Sequence, residues 1–406
     1  MIVSLIVLDV TTDGRAAPLA AYSLLRTLNS ERLTMPYYTP AHIGMPLAEV
    51  DTPALILDLD AFERNLKRLN DSLAGRDIKV RPHAKSHKCP EIALRQMALG
   101  AVGVCCQKVS EAEAMVDGGV NDVLIANEVV GAAKLKRLAV LAKRAKIAVC
   151  ADHPDNVVAL DAAAREAGVT LNVLVEVNVG ANRCGIEPGE PAFKLAKQIH
   201  ASKNLHFAGL QAYQGGAQHM RKTEDRRAAI EAACEKVKRT TALLAEAGIP
   251  CERVTGAGTG TYLFEAASRV YHELQTGSYI FMDVDYAKND WTESGIPRFD
   301  HSLFVWTSVM SCPAPDRAIV DAGLKASSVD SGMPSVFDTP GAEYIKASDE
   351  HGVLKLSAGT ALPLGHKLKI VPGHCDPTVN LYDHFVCVRK GVVEALWPIN
   401  ARGALL

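Results

Sequence analysis

The chain has 406 residues, of which 48% are apolar and 22% are charged, and its formal net charge is −2. This composition is typical of a globular protein with room for one large domain and a smaller one. It argues against nucleic acid or an anionic membrane surface as a general partner, and no apolar run reaches the ~18 residues of a membrane span. The ten cysteines form no CxxC pair, which favours core thiols of a reducing, cytoplasmic compartment.

The N-terminus begins with the apolar run MIVSLIVLDV, which no basic residue precedes. It is therefore a poor secretion signal. Met35 opens the stretch MPYYTPAHIGMPLAEVDTPALILDLDAF, after which the pattern becomes regular. We expect residues 1–34 to be a non-essential extension upstream of the natural start, with a targeting peptide as the alternative.

A strand pattern, DTPALILDL, and an amphipathic helix pattern, DAFERNLKRLNDSLAG, come first. Eight short apolar runs then alternate with helical stretches: IKVRPHAK, AVGVCCQ, DVLIAN, KIAVCAD, LNVLVEVNVG, HFAGLQAY, RVTGAG and LQTGSYIFMD. Apolar strands separated by helices predict a parallel sheet that is buried on both faces. Eight such units predict a (β/α)8 TIM barrel over residues 35–290, including its leading strand, with a Rossmann-type sheet as the minor alternative.

The pattern changes at about Trp291. Short strands joined by turns follow, among them SLFVWTSVMS, RAIVDAGLKA and HFVCVRKGVVEALWP, with no convincing helix between them. The sequence therefore predicts a C-terminal all-β domain over residues 291–406.

Polar residues and glycines follow the predicted barrel strands, where the functional residues of a barrel lie. They are Lys85, Gln107, Asn127, Asp152, Asn178, Gln211, Tyr213 and Gly256. In the segment RPHAKSHKCP, Arg81 and His83 alternate with Lys85, so we expect one face of the strand to carry all three. Neighbouring cations lower the pKa of an amine and make it a better nucleophile. Lys88 lies beyond the strand and is expected at the surface; a solvated basic face is the alternative for the whole segment.

The run TGAGTGTYLF contains Gly256, Gly258 and Gly260 ahead of a possible helix. Such glycines let backbone amides approach an anion, and the seventh strand end is the usual phosphate position of a barrel. A tight loop without a ligand is the alternative. A nucleophilic lysine together with a phosphate cradle is what pyridoxal 5′-phosphate requires.

The run VPGHCDPTVNLYDHF places His374 and Asp376 two residues apart, so that on an extended strand they share a face. An imidazole and a carboxylate can hold a hard or borderline divalent cation, with Cys375 pointing away. Soft His–Cys ligation and a satisfied surface pair are the alternatives.

Long motifs in this order resemble those of the bacterial D-threonine aldolases and the related 3-hydroxy-D-aspartate aldolases. They are RPHAKSHKCPEIALRQMALGAVGVCCQKVSEAEA, VGANRCG, GLQAYQG, TGAGTG, YHELQTGSYIFMD, SDEHGV and PGHCDPTVNLYD, from about Asp51 to the end. The resemblance implies an alanine-racemase-like barrel with pyridoxal 5′-phosphate on Lys85 and a C-terminal β domain. It also implies cofactor contacts for Gln107, Arg183, Tyr213, Thr255, Gly256, Gly258, Thr259, Gly260, Gly277 and Ser278.

For catalysis, the resemblance implies that His219 handles the proton of the substrate hydroxyl and that His374 and Asp376 bind manganese or magnesium. In this fold the β domain usually comes from the partner chain. We therefore expect a head-to-tail homodimer in which His351, in the SDEHG segment, reaches the site mouth.

The resemblance has two departures that matter. Related D-serine dehydratases have His-x-Cys at the metal position, typically with zinc, whereas this chain has His-Cys-Asp. Ala257 and Thr261 stand where we expect glycine and serine.

We expect an aldolase that cleaves D-β-hydroxy-α-amino acids (D-threonine, D-allo-threonine or D-3-hydroxyaspartate) to glycine and an aldehyde. The alternatives are a dehydratase that releases ammonia and an oxo acid, and a non-catalytic cofactor-binding barrel. Arg221, Lys222 or Arg226 could reach a substrate β-carboxylate, or none of the three could.

Overall fold

The computed structural model describes residues 38–406. The extension predicted over residues 1–34 lies outside the described residues. Strand β1 (Ala54–Asp58) leads into helix α1 (Leu59–Leu73), and the Asp58 carboxylate caps the helix by accepting from Ala61 N at 3.0 Å. Phe62, Leu66 and Leu69 lie on the buried face of α1 at helical spacing, as the sequence pattern predicts.

The eight predicted barrel strands are all present and parallel. They are β2 (Lys79–Val80), β3 (Val104–Cys106), β4 (Asp122–Glu128), β5 (Lys146–Ala151), β6 (Leu171–Glu176), β7 (Leu205–Gln211), β8 (Val254–Gly256) and β9 (Glu273–Leu274). Strands β3 to β9 pair in chain order, and β2 pairs with β9. A bridge between His83 and Cys105 closes the ring, with Cys105 N donating to Pro82 O at 2.8 Å. The (β/α)8 barrel is confirmed.

Helices follow the barrel strands and cover the sheet. They are α2 (Pro90–Ala98), α3 (Val109–Asp117), α4 (Ala132–Leu141), α5 (Pro154–Ala167), α6 (Glu190–Ala201), α7 (Thr223–Glu246) and α8 (Tyr262–Ser268). Strand β5 shows why the sequence reads as continuous apolar runs, since every residue from Ile147 to Ala151 is buried between barrel interior and helices. Among the described residues, no helix has both the length and the apolar character needed to cross a membrane.

A second sheet follows the barrel. Its strands are β10 (Leu303–Ala314), β11 (Arg317–Val320), β12 (Ser335–Phe337), β13 (Ala342–Ala347), β14 (Gly352–Leu356), β15 (Lys367–Val371), β16 (His384–Arg389) and β17 (Val392–Pro398). The strand order is β13-β14-β11-β10-β1-β16-β17, and β15 pairs with both β10 and β12. Two short helices, α9 (Val284–Ala287) and α10 (Cys375–Val379), carry residues to the mouth of the barrel.

Strand β1 belongs to the second sheet and does not lead the barrel. Ile56 lies opposite Phe304 of β10 in an antiparallel pair and opposite Val386 of β16 in a parallel pair. Because β1 is buried on both faces, a central place in a sheet covers it better than an edge would. The predicted division at residue 290 is therefore wrong for this strand. Residues 40–406 form one compact unit.

Candidate functional site

A cavity of about 310 Å³ opens at the C-terminal ends of the barrel strands. Many residues singled out from the sequence line it: Lys85, Gln107, Arg183, Gln211, Tyr213, His219, Gly258, Thr259, Gly277, Ser278, His374 and Asp376. Thr255, Gly256 and Gly260 are buried next to this lining. His351 is exposed in the turn between β13 and β14 and does not line the cavity of its own chain.

Lys85 stands in the short 3₁₀ turn Ala84–Ser86 that follows β2. Its Nζ donates to Asp376 Oδ2 at 2.6 Å, which joins the barrel to the second sheet across the cavity. Burial by itself lowers the pKa of Lys85, but the Asp376 carboxylate outweighs it and the pKa is raised. In return, the ammonium holds the pKa of Asp376 below its usual range against the effect of burial. Neighbouring cations therefore do not dominate the pKa of this amine, contrary to the expectation from the sequence; the Asp376 carboxylate does.

Arg81 does not reach the cavity, contrary to the sequence-based expectation. It is buried inside the barrel, where Nε donates to Glu273 Oε1 at 2.9 Å and Nη1 donates to Asp122 Oδ1 at 2.7 Å. These two carboxylates neutralise the guanidinium, so Arg81 adds a structural ion-pair network and no positive charge to the site.

Lys88 is buried, and its predicted surface position is wrong. Its Nζ donates to Glu111 Oε1 at 2.6 Å, and its backbone is left-handed with φ of 54°. The other carboxylate oxygen, Glu111 Oε2, accepts from Gln107 N at 2.8 Å. The ion pair therefore fastens the segment that carries Lys85 to the loop that carries Gln107.

His83 lies between the lysine and the barrel wall. Burial, and next the charge of Lys85, lower the pKa of His83 well below its ordinary value. Its Nε2 lies 2.8 Å from Gln107 Nε2. The two polar side chains line the cavity beside Lys85.

The loop after β8 has the features of a phosphate cradle. Thr259 is buried, and its Oγ1 has no hydrogen-bond partner within the described part of the chain. An oxygen of an anionic ligand would satisfy this hydroxyl. A Cβ added to Gly277 would lie 3.2 Å from His83 O, so a larger residue would crowd the cradle. Ala257 has a left-handed φ of 75°, at the position where glycine was expected. This backbone costs about 1–2 kcal/mol for alanine.

His219 ends the 3₁₀ turn Gly215–His219 at the cavity. Its Nδ1 lies 2.7 Å from Asp285 Oδ2, on α9. The same carboxylate binds the Arg221 guanidinium, whose Nη1 also donates to Asn289 Oδ1 at 2.7 Å. Burial would raise the pKa of Asp285, but Arg221 and His219 lower it below the usual range. An ionised carboxylate that holds Nδ1–H leaves Nε2 as the basic atom, which suits a general base.

His374 and Asp376 meet the cavity from the second sheet, but not as an extended strand. His374 is the N-cap residue of α10 and Asp376 lies in its first turn. His374 Nδ1 is held by Asp330 Oδ2 at 2.9 Å and by Ser331 Oγ at 3.3 Å, which leaves Nε2 available. Cys375 is fully buried, and its Sγ lies 3.3 Å from Asp376 Oδ1.

This donor set fits a divalent cation with nitrogen and oxygen ligands. Among the described residues, no cluster of three or more His, Cys, Asp or Glu side chains has the geometry of a metal site. A cation at His374 and Asp376 would therefore take its remaining ligands from water or substrate.

Two acidic residues of the site, Asp285 and Asp330, are absent from the sequence prediction. Each orients a histidine through Nδ1. Asp285 follows β9 in the motif YIFMDVDY, so its place after a barrel strand was a usable signal. Asp330 lies 44 residues from its histidine, and no local pattern connects them.

Of the three cationic side chains that the sequence suggests for binding a substrate carboxylate, two are hydrogen-bonded to other groups of the protein. Arg221 is held by Asp285 and Asn289. Arg226 is fully buried and donates through Nη1 to Met220 O and Arg221 O, both at 2.8 Å, so it does not reach a substrate carboxylate in the cavity. Lys222 is exposed at the start of α7.

The chain matches two family models. Residues 57–285 match "Alanine racemase, N-terminal domain", and residues 302–388 match "Putative serine dehydratase domain". These two matches coincide with the barrel and the second sheet.

Curated proteins and solved structures are similar over nearly the whole chain. A D-threonine aldolase of Arthrobacter sp. is 51% identical, over 90% of this chain and 96% of its own length. A 3-hydroxy-D-aspartate aldolase of Paracoccus denitrificans is 48% identical with the same coverage. The crystal structure of D-threonine aldolase from Filomicrobium marinum superposes with a TM-score of 0.89, at 53% identity, over 91% of this chain and 100% of that one.

Proposed function

Because the chain belongs to the family of D-threonine aldolases and 3-hydroxy-D-aspartate aldolases, we propose that it is a carbon–carbon lyase dependent on pyridoxal 5′-phosphate and a divalent metal. It cleaves the Cα–Cβ bond of D-β-hydroxy-α-amino acids such as D-threonine, D-allo-threonine and D-3-hydroxyaspartate, giving glycine and an aldehyde. The observation that carries the proposal is that Lys85, the His219–Asp285 pair and the His374–Asp376 pair face one cavity.

The cavity suits the cofactor at both ends. Lys85 Nζ is the amine that would carry it, and the unpartnered Thr259 hydroxyl with Gly258, Gly277 and Ser278 would receive its phosphate. Arg183 and Tyr213 would border the ring; the Arg183 guanidinium carbon lies 6.0 Å from the Tyr213 ring centroid. When bound, pyridoxal phosphate accepts the electron pair of the broken Cα–Cβ bond.

The second sheet supplies the metal ligands in this proposal. His374 Nε2 and the Asp376 carboxylate would hold manganese or magnesium, which supplies Lewis acidity toward the substrate β-hydroxyl. The Asp376 carboxylate also accepts from Lys85 Nζ at 2.6 Å, so a metal held there would lie beside the amine that would carry the cofactor.

His219 is the base in this proposal. Its Nε2 takes the proton of the β-hydroxyl as the C–C bond breaks, and the ionised Asp285 stabilises the resulting imidazolium. The aldehyde leaves, and Lys85 Nζ delivers a proton to Cα of the glycine product. Each proton therefore has a donor or acceptor atom in the cavity.

A dehydratase is the second candidate, because the second sheet matches a serine dehydratase family model. The carboxylate of Asp376 stands at the position where dehydratases are expected to have a thiolate ligand. That oxygen ligand favours a hard cation and the aldolase.

We propose a head-to-tail homodimer in the cytoplasm. His351 and the exposed apolar side chains of Leu324 and Ile345 lie on the same part of the second sheet, which suits contact with a partner barrel. All ten cysteines are free thiols, which supports a reducing compartment. Size-exclusion chromatography with light scattering on the eluted protein measures its mass, which should be that of two chains. A fully active monomer would contradict the dimer.

The function is tested by activity with both substrate types. The purified holoenzyme with manganese should form glycine from D-threonine and from D-3-hydroxyaspartate, and its kcat/KM for each sets the preference. Lys85→Ala is the negative control. Absence of glycine from both substrates would overturn the proposal.

A further inference from the structure

Gln218 lies between the predicted phosphate loop and the turn that carries His219. The residue is 1% exposed. Its Oε1 accepts from Gly260 N at 2.8 Å, and its Nε2 donates to Thr261 Oγ1 at 2.9 Å and to Gln214 O at 3.4 Å. One side chain thus binds two successive residues of the loop.

The chemistry of the neighbours fixes the orientation of this amide. The backbone N–H of Gly260 can only donate, so it requires the oxygen of the Gln218 amide, and Thr261 Oγ1, which donates to Glu265 Oε1 at 2.8 Å, can accept from the amide nitrogen. Gln218 Nε2 therefore faces Thr261, and Oε1 faces the backbone amide of Gly260. A flipped amide would set a donor against the Gly260 N–H.

Gln218 also connects to the base. Its backbone O accepts from Asn289 Nδ2 at 3.0 Å, and Asn289 Oδ1 accepts from Arg221 Nη1 at 2.7 Å. Arg221 in turn binds Asp285, which holds His219. A continuous hydrogen-bonded path therefore runs from the phosphate loop to the catalytic imidazole.

The loop and Gln218 are also in close steric contact. A Cβ added to Gly258 would lie 2.5 Å from Gln218 Oε1, so Gln218 fills the space that a side chain at position 258 would need. Because Gln218 is buried and hydrogen-bonded to the loop, a shift of the loop displaces Gln218 and the neighbouring His219 with it.

We propose that Gln218 is a positioning residue that couples occupation of the phosphate loop to the placement of His219, a role that rests on the proposed function. The Gln218 side chain holds the loop at Gly260 and Thr261, and its backbone O holds the turn through the Asn289–Arg221–Asp285 path. A phosphate on the loop and the base at His219 would therefore share one support.

The test is Gln218→Met, which keeps the length of the side chain and removes the amide. Affinity for pyridoxal phosphate is measured on the apoenzyme by absorbance without substrate, and kcat is measured at saturating cofactor and manganese. We expect the cofactor Kd to rise about tenfold, since two hydrogen bonds to the loop are lost. We expect kcat to remain about tenfold lower at saturation, since His219 is displaced.

Two further variants separate the two ends of the path. Asn289→Leu cuts the path on the base side, so it should lower kcat and leave the cofactor Kd unchanged. Thr240→Val removes a buried hydroxyl on α7 that accepts from Gly189 N at 2.8 Å, away from the cavity, and should change neither quantity.

Three outcomes would overturn the proposal: an unchanged Kd in Gln218→Met, full recovery of kcat at saturating cofactor, or a normal kcat in Asn289→Leu. If Gln218→Met does not fold, the Asn289→Leu result still decides the base side. The Kd needs no substrate, so it stands even if the products prove those of a dehydratase.

Discussion

Lys85 and Lys88 are only three residues apart, yet their surroundings give them different roles. Lys85 borders the cavity and pairs with Asp376 across it, whereas Lys88 is buried against Glu111. Both are cations in the same cation-rich segment, and their positions relative to the predicted strand are the difference that the sequence shows between them. The structure separates them by the carboxylate that each one meets.

We predict that Lys85→Ala loses the visible absorption band of the lysine-bound cofactor and all turnover. Lys88→Ala should keep the band but lower the free energy of unfolding by about 3 kcal/mol, because it leaves Glu111 as a buried unpaired carboxylate. Absorbance and urea denaturation measure the two effects. A band that survives in Lys85→Ala and vanishes in Lys88→Ala would reverse the assignment.

Glu265 on α8 is a further residue with a measurable consequence. Burial raises the pKa of Glu265 to about 7, and one of its oxygens is unpartnered. Because the folded-state pKa exceeds the unfolded value of about 4.3, the folded form binds more protons in this window. Stability is therefore highest below about pH 4.3 for this group, and its contribution is lost as pH rises through about 7.

We predict that Glu265→Gln raises the free energy of unfolding at pH 8 by up to about 3 kcal/mol and by less at pH 5. Glutamine keeps the acceptor for Thr261 and removes the ionisation. Denaturation of both proteins at the two pH values measures this. An equal effect at both values would show that Glu265 does not titrate in this range.

At the scale of elements, the site is built from two sheets. The barrel supplies Lys85 and the phosphate loop after β8, and α10 of the second sheet supplies His374 and Asp376. The proposed metal and phosphate positions therefore depend on different elements. Loss of one should leave the other in place.

We predict that chelation abolishes activity without removing the cofactor absorbance, and that manganese restores activity better than zinc. Asp330→Ala should weaken manganese binding about 10- to 100-fold, because His374 loses the carboxylate that orients it. Ser331→Ala, which removes only the longer 3.3 Å contact, is the matched control. Unchanged manganese affinity in Asp330→Ala would remove this orienting role.

At the scale of the whole molecule, sequence periodicity was sufficient for the barrel and for most of the second sheet. Each β/α unit is local, so its apolar runs and glycines appear in order along the chain. Strand β1 was assigned to the wrong sheet because its partners, β10 and β16, lie more than 240 residues away. The position of β1 just before the barrel strands predicts that it belongs to the barrel, whereas its pairing with β10 and β16 places it in the second sheet.

The candidate site was predictable where residues follow strand ends or match family motifs. It was not predictable where charge balance depends on distant partners. Arg81 and Lys88 were placed by Glu273, Asp122 and Glu111, and no local pattern announces those pairings. Asp330 is unpredictable for the same reason, since it lies 44 residues from the histidine that it orients, whereas Asp285 follows a barrel strand and carries a usable signal.

Cleavage of the Cα–Cβ bond is tested by the product stoichiometry on D-threonine. Purified enzyme with pyridoxal phosphate and manganese should give one acetaldehyde and one glycine per D-threonine consumed, with no ammonia. L-threonine is the matched control; it should give no product, because exchanging two substituents at Cα carries the hydroxyl away from His219 and the metal ligands. Stoichiometric ammonia and 2-oxobutyrate without acetaldehyde would contradict the account and establish the dehydratase.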